Sequence, residues 1–243
     1  MGKRLPADLQ LKLLELTRHG QRISFDGLAQ ELHAGPATLV SQIEGLRAKG
    51  LVAFSQENLE LDARQRIMLA EELIHSGRDP QRVSRFLDWQ EFEDFAVLSF
   101  EENGYLTAKH VIFKMRGARR EVDILAWNDT FLFAVDCKHW LRGLSPARIR
   151  NVVRAQVERS AALAGRPEIL RKFGVLQVSR RKIMPAILTL GNARQSVVDR
   201  VPVVSISKLM SFLYGISPLD ERFFMFPVKD LGMATLAGEE PKA

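Results

Sequence analysis

Four residues stand out by type and spacing: Glu93, Asp123, Asp136 and Lys138. Glu93 lies in WQEFEDFAVLSFEENGY, Asp123 in REVDILAW, and Asp136 and Lys138 in FLFAVDCKHW. On a helical wheel, Trp89, Phe92, Ala96, Val97 and Phe100 surround Glu93, and a carboxylate among apolar neighbours is costly unless something compensates it. Glu91 has a different job: Asp88 and Glu91 have the spacing of a capping box at the helix start. Strand alternation sets Val122, Ile124 and Ala126 on one face and Asp123 on the other. In the next strand Phe131, Phe133, Val135 and Cys137 alternate with Leu132, Ala134, Asp136 and Lys138, so Asp136 and Lys138 share a face. Hard carboxylate oxygens suit Mg²⁺, which keeps several waters and takes one or two carboxylates. A lysine beside them can stabilise negative charge developing on a phosphodiester. The plainer alternatives are an Asp–Lys ion pair at a sheet end and a Glu93 that reaches the domain edge or pairs with an arginine.

The elements that must position these groups alternate helix and strand. A helix is expected over 89–102, ended by Gly104. Strands are expected near 109–115, 120–126 and 130–137, then a long basic helix over 145–164 carrying Arg148, Arg150, Arg154, Gln156 and Arg159. Further strand-like runs are Val175–Val178, Ala186–Leu190 and Val201–Ser205, followed by a helix near 207–214. Arg148 and Arg159 flank a face suited to backbone phosphates, although a solvated basic face explains them equally well. Arg180, Arg181 and Lys182 form a basic turn. Trp140, beside His139, is a candidate for base stacking or for packing, and His139 is given no catalytic role. Cys137 reads as a packed core thiol.

Ahead of this lies a smaller unit. Helical spacing covers 8–19, a second helix capped by Asp26, and a third over 36–49. Residues 51–55 and 59–61 read as a hairpin around a polar turn. A helix over 63–76 ends at Gly77. Asp79 then reads as an N-cap, with Pro80 as the first helical residue. The division is a unit over 1–77, a linker over 78–87 and a larger α/β unit over 88–243. Residues 237–243 are polar and are expected to fray.

The chain has 243 residues, 46% hydrophobic and 26% charged, with a net charge of +6 and a pI of about 9.7. The two signs nearly balance up to residue 87, and the basic surplus lies beyond it. Such a balance permits polyanionic partners without requiring them. One cysteine excludes an intrachain disulfide and a cysteine-based zinc site, which fits a reducing cytoplasm. No apolar run approaches the ~20 residues of a spanning helix, and no signal peptide is read at the N-terminus. No phosphate-binding glycine loop or Ser-His-Asp arrangement is legible.

The order helix-Glu, strand-Asp, strand Asp-x-Lys resembles the PD-(D/E)xK, or restriction-endonuclease-like, nuclease superfamily. The FED…NGY stretch looks like the opening helix of its Mrr-type and archaeal resolvase-type members. The resemblance covers about 88–215. Val122 stands where the proline that names the motif would be. It implies a mixed sheet flanked by helices, with Asp123 and Asp136 as metal ligands. Glu93 would hold a metal-bound water or second ion, and Lys138 would orient the attacking water. Mg²⁺ is the implied cofactor and Mn²⁺ a possible substitute.

LAQELHAGPATLVSQIEGLRAKGLV resembles a winged helix-turn-helix, a small α+β domain. That resemblance makes 36–49 the recognition helix, with Thr38, Ser41, Gln42, Arg47 and Lys49 outward. The face is only modestly basic, and such modules also serve protein–protein association. The expectation is a DNA endonuclease, for which analogy suggests a homodimer. Its rivals are a non-catalytic DNA-binding regulator, an RNA-processing nuclease and an interaction adaptor.

Overall fold

A computed structural model describes residues 5–55, 58–139, 146–175, 181–191 and 196–229. Its first unit runs α1 (Leu5–Leu16), β1 (Ile23–Ser24), α2 (Phe25–Leu32), α3 (Pro36–Ala48), β2 (Ala53–Ser55) and β3 (Asn58–Glu60). The strands form a small antiparallel sheet in the order β1-β3-β2. Apolar residues at helical spacing, Leu9 and Leu13 on α1, Leu39, Ile43 and Leu46 on α3, close with Leu28 and Leu59 into a core. Ser24, not Asp26, caps α2: its hydroxyl accepts from the Gly27 N–H at 3.1 Å. Asp26 sits in the first turn instead, where its charge still suits the helix dipole.

Then follow α4 (Ala63–His75), with an Asp62–Gln65 capping box, and α5 (Pro80–Ser84), capped by Asp79. Residues 78–87, read from sequence as a linker, thus carry a helix, and Val83, Ser84 and Leu87 are buried. Arg66 on α4 is also buried, and each of its five N–H donors meets an acceptor. Nε donates to Glu91 Oε1 at 2.6 Å, and Nη1 to the Leu14 carbonyl and the Thr17 hydroxyl. Nη2 donates to the Phe86 carbonyl and to Glu91 Oε2. Glu91 meanwhile closes the expected capping box with Asp88 at the start of α6 (Trp89–Glu101). One core cluster runs from Leu9 through Leu73, Val83 and Leu87 to Phe92 and Phe133.

The larger sheet is built from β4 (Leu106–Met115), β5 (Ala118–Trp127) and β6 (Leu132–Lys138). Beyond α7 (Pro146–Ala164) and α8 (Pro167–Lys172) it adds β7 (Lys182–Thr189), β8 (Val197–Val198) and β9 (Val201–Ser205). A final helix, α9 (Leu209–Gly215), precedes β10 (Phe226–Pro227). Strand order is β4-β5-β6-β7-β9-β8, with β10 on β7. β4, β5 and β6 pair antiparallel, and β6, β7 and β9 parallel. The parallel part is apolar on both faces, as helix-covered strands must be. Pro185 falls on β7 between the stretch paired with β10 and the stretch paired with β9, where that side carries no ladder. α8 has no counterpart among the elements expected from sequence. Of the strand expected over Val175–Val178, Val175 follows α8 without strand structure, and the rest lies outside the described residues, as do Trp140, Arg180 and residues 237–243.

Helices cover both faces. Phe92, Phe95, Ala96 and Phe100 of α6 pack on Ile124, Ala126, Phe133, Val135 and Cys137. Leu163 of α7 and Leu170 of α8 pack on Leu125, Trp127, Leu132 and Ala134. Alternation on β6 is as expected. On β5 it is not: Val122 joins the α7 side while Ile124 and Ala126 join the α6 side. The faces exchange at Asp123. On β4, His110 lies across from Asp123, and its φ of 53° is left-handed. The register keeps Lys109↔Ile124 and Val111↔Val122, but not the pair between them.

Candidate active site

That local break is where the site residues meet. β5 and β6 pair from Trp127↔Leu132 up to Ile124↔Val135. One step further, Asp123 and Asp136 would be opposite each other, but the ladder has ended. Asp123 fills the opening: its Oδ2 accepts the Cys137 N–H at 2.7 Å. Burial and the neighbouring Asp136 carboxylate push Asp123 up from the ordinary 3.8 to about 6. Glu93 raises it too, while the Cys137 N–H and Lys138 oppose the shift.

Asp136 is buried, 3% exposed, and faces α7. Its Oδ1 accepts from Arg159 at 2.6 Å. Lys138 Nζ lies 2.7 Å from its Oδ2, an approach of charges without hydrogen-bond alignment. Lys138 also sits 5.5 Å over the Trp89 ring, so it spans the two sides of the sheet at the strand end. Arg159 is oriented in turn by Gln156, whose Oε1 accepts from Arg159 Nε at 2.8 Å. Gln156 Nε2 is anchored on the Ala134 carbonyl. In the sequence Gln156 is only one polar residue of a basic helix. Its place beneath the site follows from its full burial, which the mixed composition of α7 concealed.

Glu93 approaches from α6 and is 2% exposed. Burial raises its pKa, and His110 and Lys109 partly offset this. Trp89, beside the carboxylate, also opposes the rise, but Oε2 has no hydrogen-bond donor. Lys109 is itself paired with Asp94. Cys137 is buried with its thiol pushed up by burial and by the surrounding carboxylates, as befits an inert core sulfur.

The structure therefore brings Glu93, Asp123, Asp136 and Lys138 to one end of the β5–β6 pair. The surface residues lie elsewhere. Thr38 and Ser41 on α3 are exposed and Gln42 is half-buried. Arg47 pairs with Glu44 at 3.4 Å and Lys49 with Glu72 at 2.5 Å, which offsets the charge of that face. Arg148 is exposed on α7, as are Arg150 and Arg154. Arg159, read from sequence as a phosphate contact, is committed to Asp136 with its side chain 18% exposed. His139 packs edge-on against Phe92 at 5.5 Å.

Residues 84–164 match the family model Mrr_cat, described as restriction endonuclease. This supports the PD-(D/E)xK superfamily and a nuclease-like domain, and the mixed sheet with helices on both faces fits a restriction-endonuclease-like fold. No curated protein matches the chain. Two solved structures are similar. One, the protein of unknown function AF1548, has 20% identity and a TM-score of 0.26 over 40% of this chain and 45% of that one. The other, protein VC1899 from Vibrio cholerae, has 12% identity and a TM-score of 0.31 over 78% of this chain. The chain spans 45% and 42% of the lengths of those two proteins.

Domains of this kind use a divalent metal, and the donor set fits one. A buried carboxylate oxygen of Glu93 has no donor, and Asp123 is held beside a second carboxylate at a cost in charge repulsion. A bound cation removes both penalties. The three carboxylates are nonetheless not drawn into one tight group. Among the described residues, Glu71, His75 and Glu102 alone form a trio with ligand atoms within 4.8 Å of each other, and they lie between α4 and the end of α6.

Among the described residues, no helix is long and apolar enough to cross a membrane.

Proposed function

We propose that this chain is a metal-dependent DNA endonuclease, with Mg²⁺ as the working ion and Mn²⁺ as a substitute. The reading rests on one observation: Asp123 and Asp136 are held side by side, with Lys138 attached, where the β5–β6 ladder ends. In this reading Asp123 and Asp136 hold the metal, and Glu93 holds a metal-bound water or a second ion. The ion supplies Lewis acidity toward a phosphodiester oxygen.

The chain's own groups do the rest. Lys138, tethered to Asp136 and stacked over Trp89, presents a fixed positive charge to the attacking water and to the oxygens that gain charge. Arg159 and Gln156 hold the Asp136 carboxylate in one orientation. Asp123, kept in place by the Cys137 N–H, stays ionised at neutral pH despite its raised pKa. The first unit, over 1–77, serves as a winged helix that sets the enzyme on duplex through Thr38, Ser41, Gln42, Arg47 and Lys49. Arg148 on α7 adds a phosphate contact. The larger unit, 88–243, carries the chemistry, and a cytoplasmic homodimer would cut both strands.

A second reading has an observation of its own. Asp136 already meets two cations, Lys138 and Arg159, so the cluster is partly neutralised without a metal. This favours a regulator that binds DNA and does not cut. Incubation with plasmid, single-stranded and four-way-junction DNA in Mg²⁺, Mn²⁺ or EDTA separates the two. Metal-dependent, EDTA-sensitive cleavage is expected. Tight binding with intact substrate in both metals would overturn the enzymatic reading.

A further inference from the structure

We propose a second cation position beside the first, formed by Glu93 and His110 with Glu121 behind the imidazole, and suited to a first-row divalent transition ion rather than to Mg²⁺. It rests on the endonuclease reading for its purpose, but its evidence is independent of it. His110 Nδ1 lies 2.7 Å from Glu121 Oε1, and Nε2 lies 3.8 Å from Glu93 Oε2. The Nδ1 contact with Glu121 holds the ring so that Nε2 is turned toward Glu93, the carboxylate–histidine arrangement that orients metal-bound imidazoles.

Glu93 Oε2 is the atom that lacks any donor, on a side chain 2% exposed. A separation of 3.8 Å is too long for a hydrogen bond. It is within the spacing of two atoms that each bind one ion at about 2.1 Å, which reaches about 4.2 Å at most. The opposite side is open, since His110 and Glu121 are 49% and 38% exposed, so water can complete the shell.

The backbone supports the assignment. His110 holds a left-handed φ of 53° inside a strand, directly across from Asp123. Such a conformation costs roughly 1–3 kcal/mol at a non-glycine residue and persists where the surroundings require it. It turns the imidazole toward α6. Of the cations nearby, Lys109 is engaged by Asp94 and offsets the burial of Glu93 only in part, and Glu93 Oε2 is left without a hydrogen-bond donor. Imidazole favours first-row transition ions, whereas all-oxygen sets favour Mg²⁺.

The test uses full-length protein and Mn²⁺. Asparagine tolerates a left-handed backbone, so His110→Asn removes the ligand and keeps the turn. Calorimetric titration of wild type should show two classes of Mn²⁺ sites. His110→Asn should weaken one class at least about tenfold, and Asp136→Asn the other. Pulsed EPR of bound Mn²⁺ should show ¹⁴N coupling that His110→Asn abolishes and His75→Asn leaves intact. Coupling that survives His110→Asn, or its absence from wild type at saturating Mn²⁺, overturns the proposal. Loss of cleavage in every metal with ¹⁴N coupling retained would sink the endonuclease reading and leave this cation position standing.

Discussion

Asp123 and Asp136 lie one step past the last paired position of β5 and β6, where the Cys137 N–H that could have extended the ladder is taken by the Asp123 carboxylate. The site is thus made by ending a sheet early, and the cost is electrostatic. Asp123 has a folded-state pKa of about 6 against an ordinary 3.8. A carboxyl raised in this way favours the folded state below its ordinary pKa, and that contribution is lost as pH rises through about 6. Above pH 6 the charged group destabilises the metal-free protein by up to about 3 kcal/mol. Asp123→Asn should therefore raise the Tm of metal-free protein at pH 8 by several degrees. At pH 4 the gain should vanish, and saturating divalent metal should narrow it. Thermal melts with EDTA and with Mn²⁺ measure both, and a gain independent of pH would refute the assigned cause.

Asp136→Asn should abolish metal-dependent cleavage and leave duplex affinity unchanged or slightly higher, because a negative charge near phosphate is removed. Lys138→Ala should lower the single-turnover cleavage rate severely with little change in the Mg²⁺ concentration for half-maximal rate. Equal cleavage by Asp136→Asn and wild type at matched Mg²⁺ would reject the role given to Asp136.

Arg159 offers a sharper discrimination. As a phosphate contact, its loss would lower the log–log salt slope of DNA binding by about 0.9. As the partner of Asp136 Oδ1, its loss removes a cation that competes with metal. Arg159→Ala should leave the slope unchanged and lower the half-maximal Mn²⁺ concentration several-fold. A reduced slope would return Arg159 to the DNA-facing surface.

On α3 the expectation is opposite. If this helix lies on duplex, Arg47→Ala and Lys49→Ala should each reduce the slope by up to about 0.9 per lost contact. The pairs with Glu44 and Glu72 must first be broken, so the loss in affinity should be modest. Unchanged slopes in both variants would mark the first unit as an association module.

Arg66→Ala should destabilise the protein by about 3–5 kcal/mol, since Glu91 is left buried and unpaired. Arg66→Ala combined with Glu91→Ala should recover part of that loss. Chemical denaturation of the four proteins of this cycle measures the coupling, and strictly additive losses would show that the pair contributes nothing of its own.

The sequence made much of this legible, for identifiable reasons. Alternation along FLFAVDCK set Asp136 and Lys138 on one face because β6 is regular from end to end. The same rule failed on β5, where the faces exchange at Asp123. Nothing in REVDILAW signals that exchange; it depends on the left-handed His110 of a different strand. Glu91 was legible as a cap but not as the partner of Arg66, because a contact across 25 positions leaves no local pattern. α8 was missed because its six residues are too few to establish a period, although the Pro at its first position was a usable signal. His110 lacks a spacing motif altogether, and its relevance comes only from what lies opposite.

The shared core that runs from Leu9 to Phe133 through Leu73 and Leu87 has a geometric consequence. A protein jointed by a free tether samples many distances between its docking surface and its reactive end. Here α4, α5 and α6 pack in one core, which disfavours free variation of the distance between α3 and the Asp123–Asp136 opening. If α3 reads duplex and the opening cuts it, as proposed, the chain would work as a caliper: each strand would be met at a set number of base pairs from the anchored turn. Altered spacing would come from remodelling the α4–α6 contact, and lengthening the segment at 78–87 would instead break the instrument.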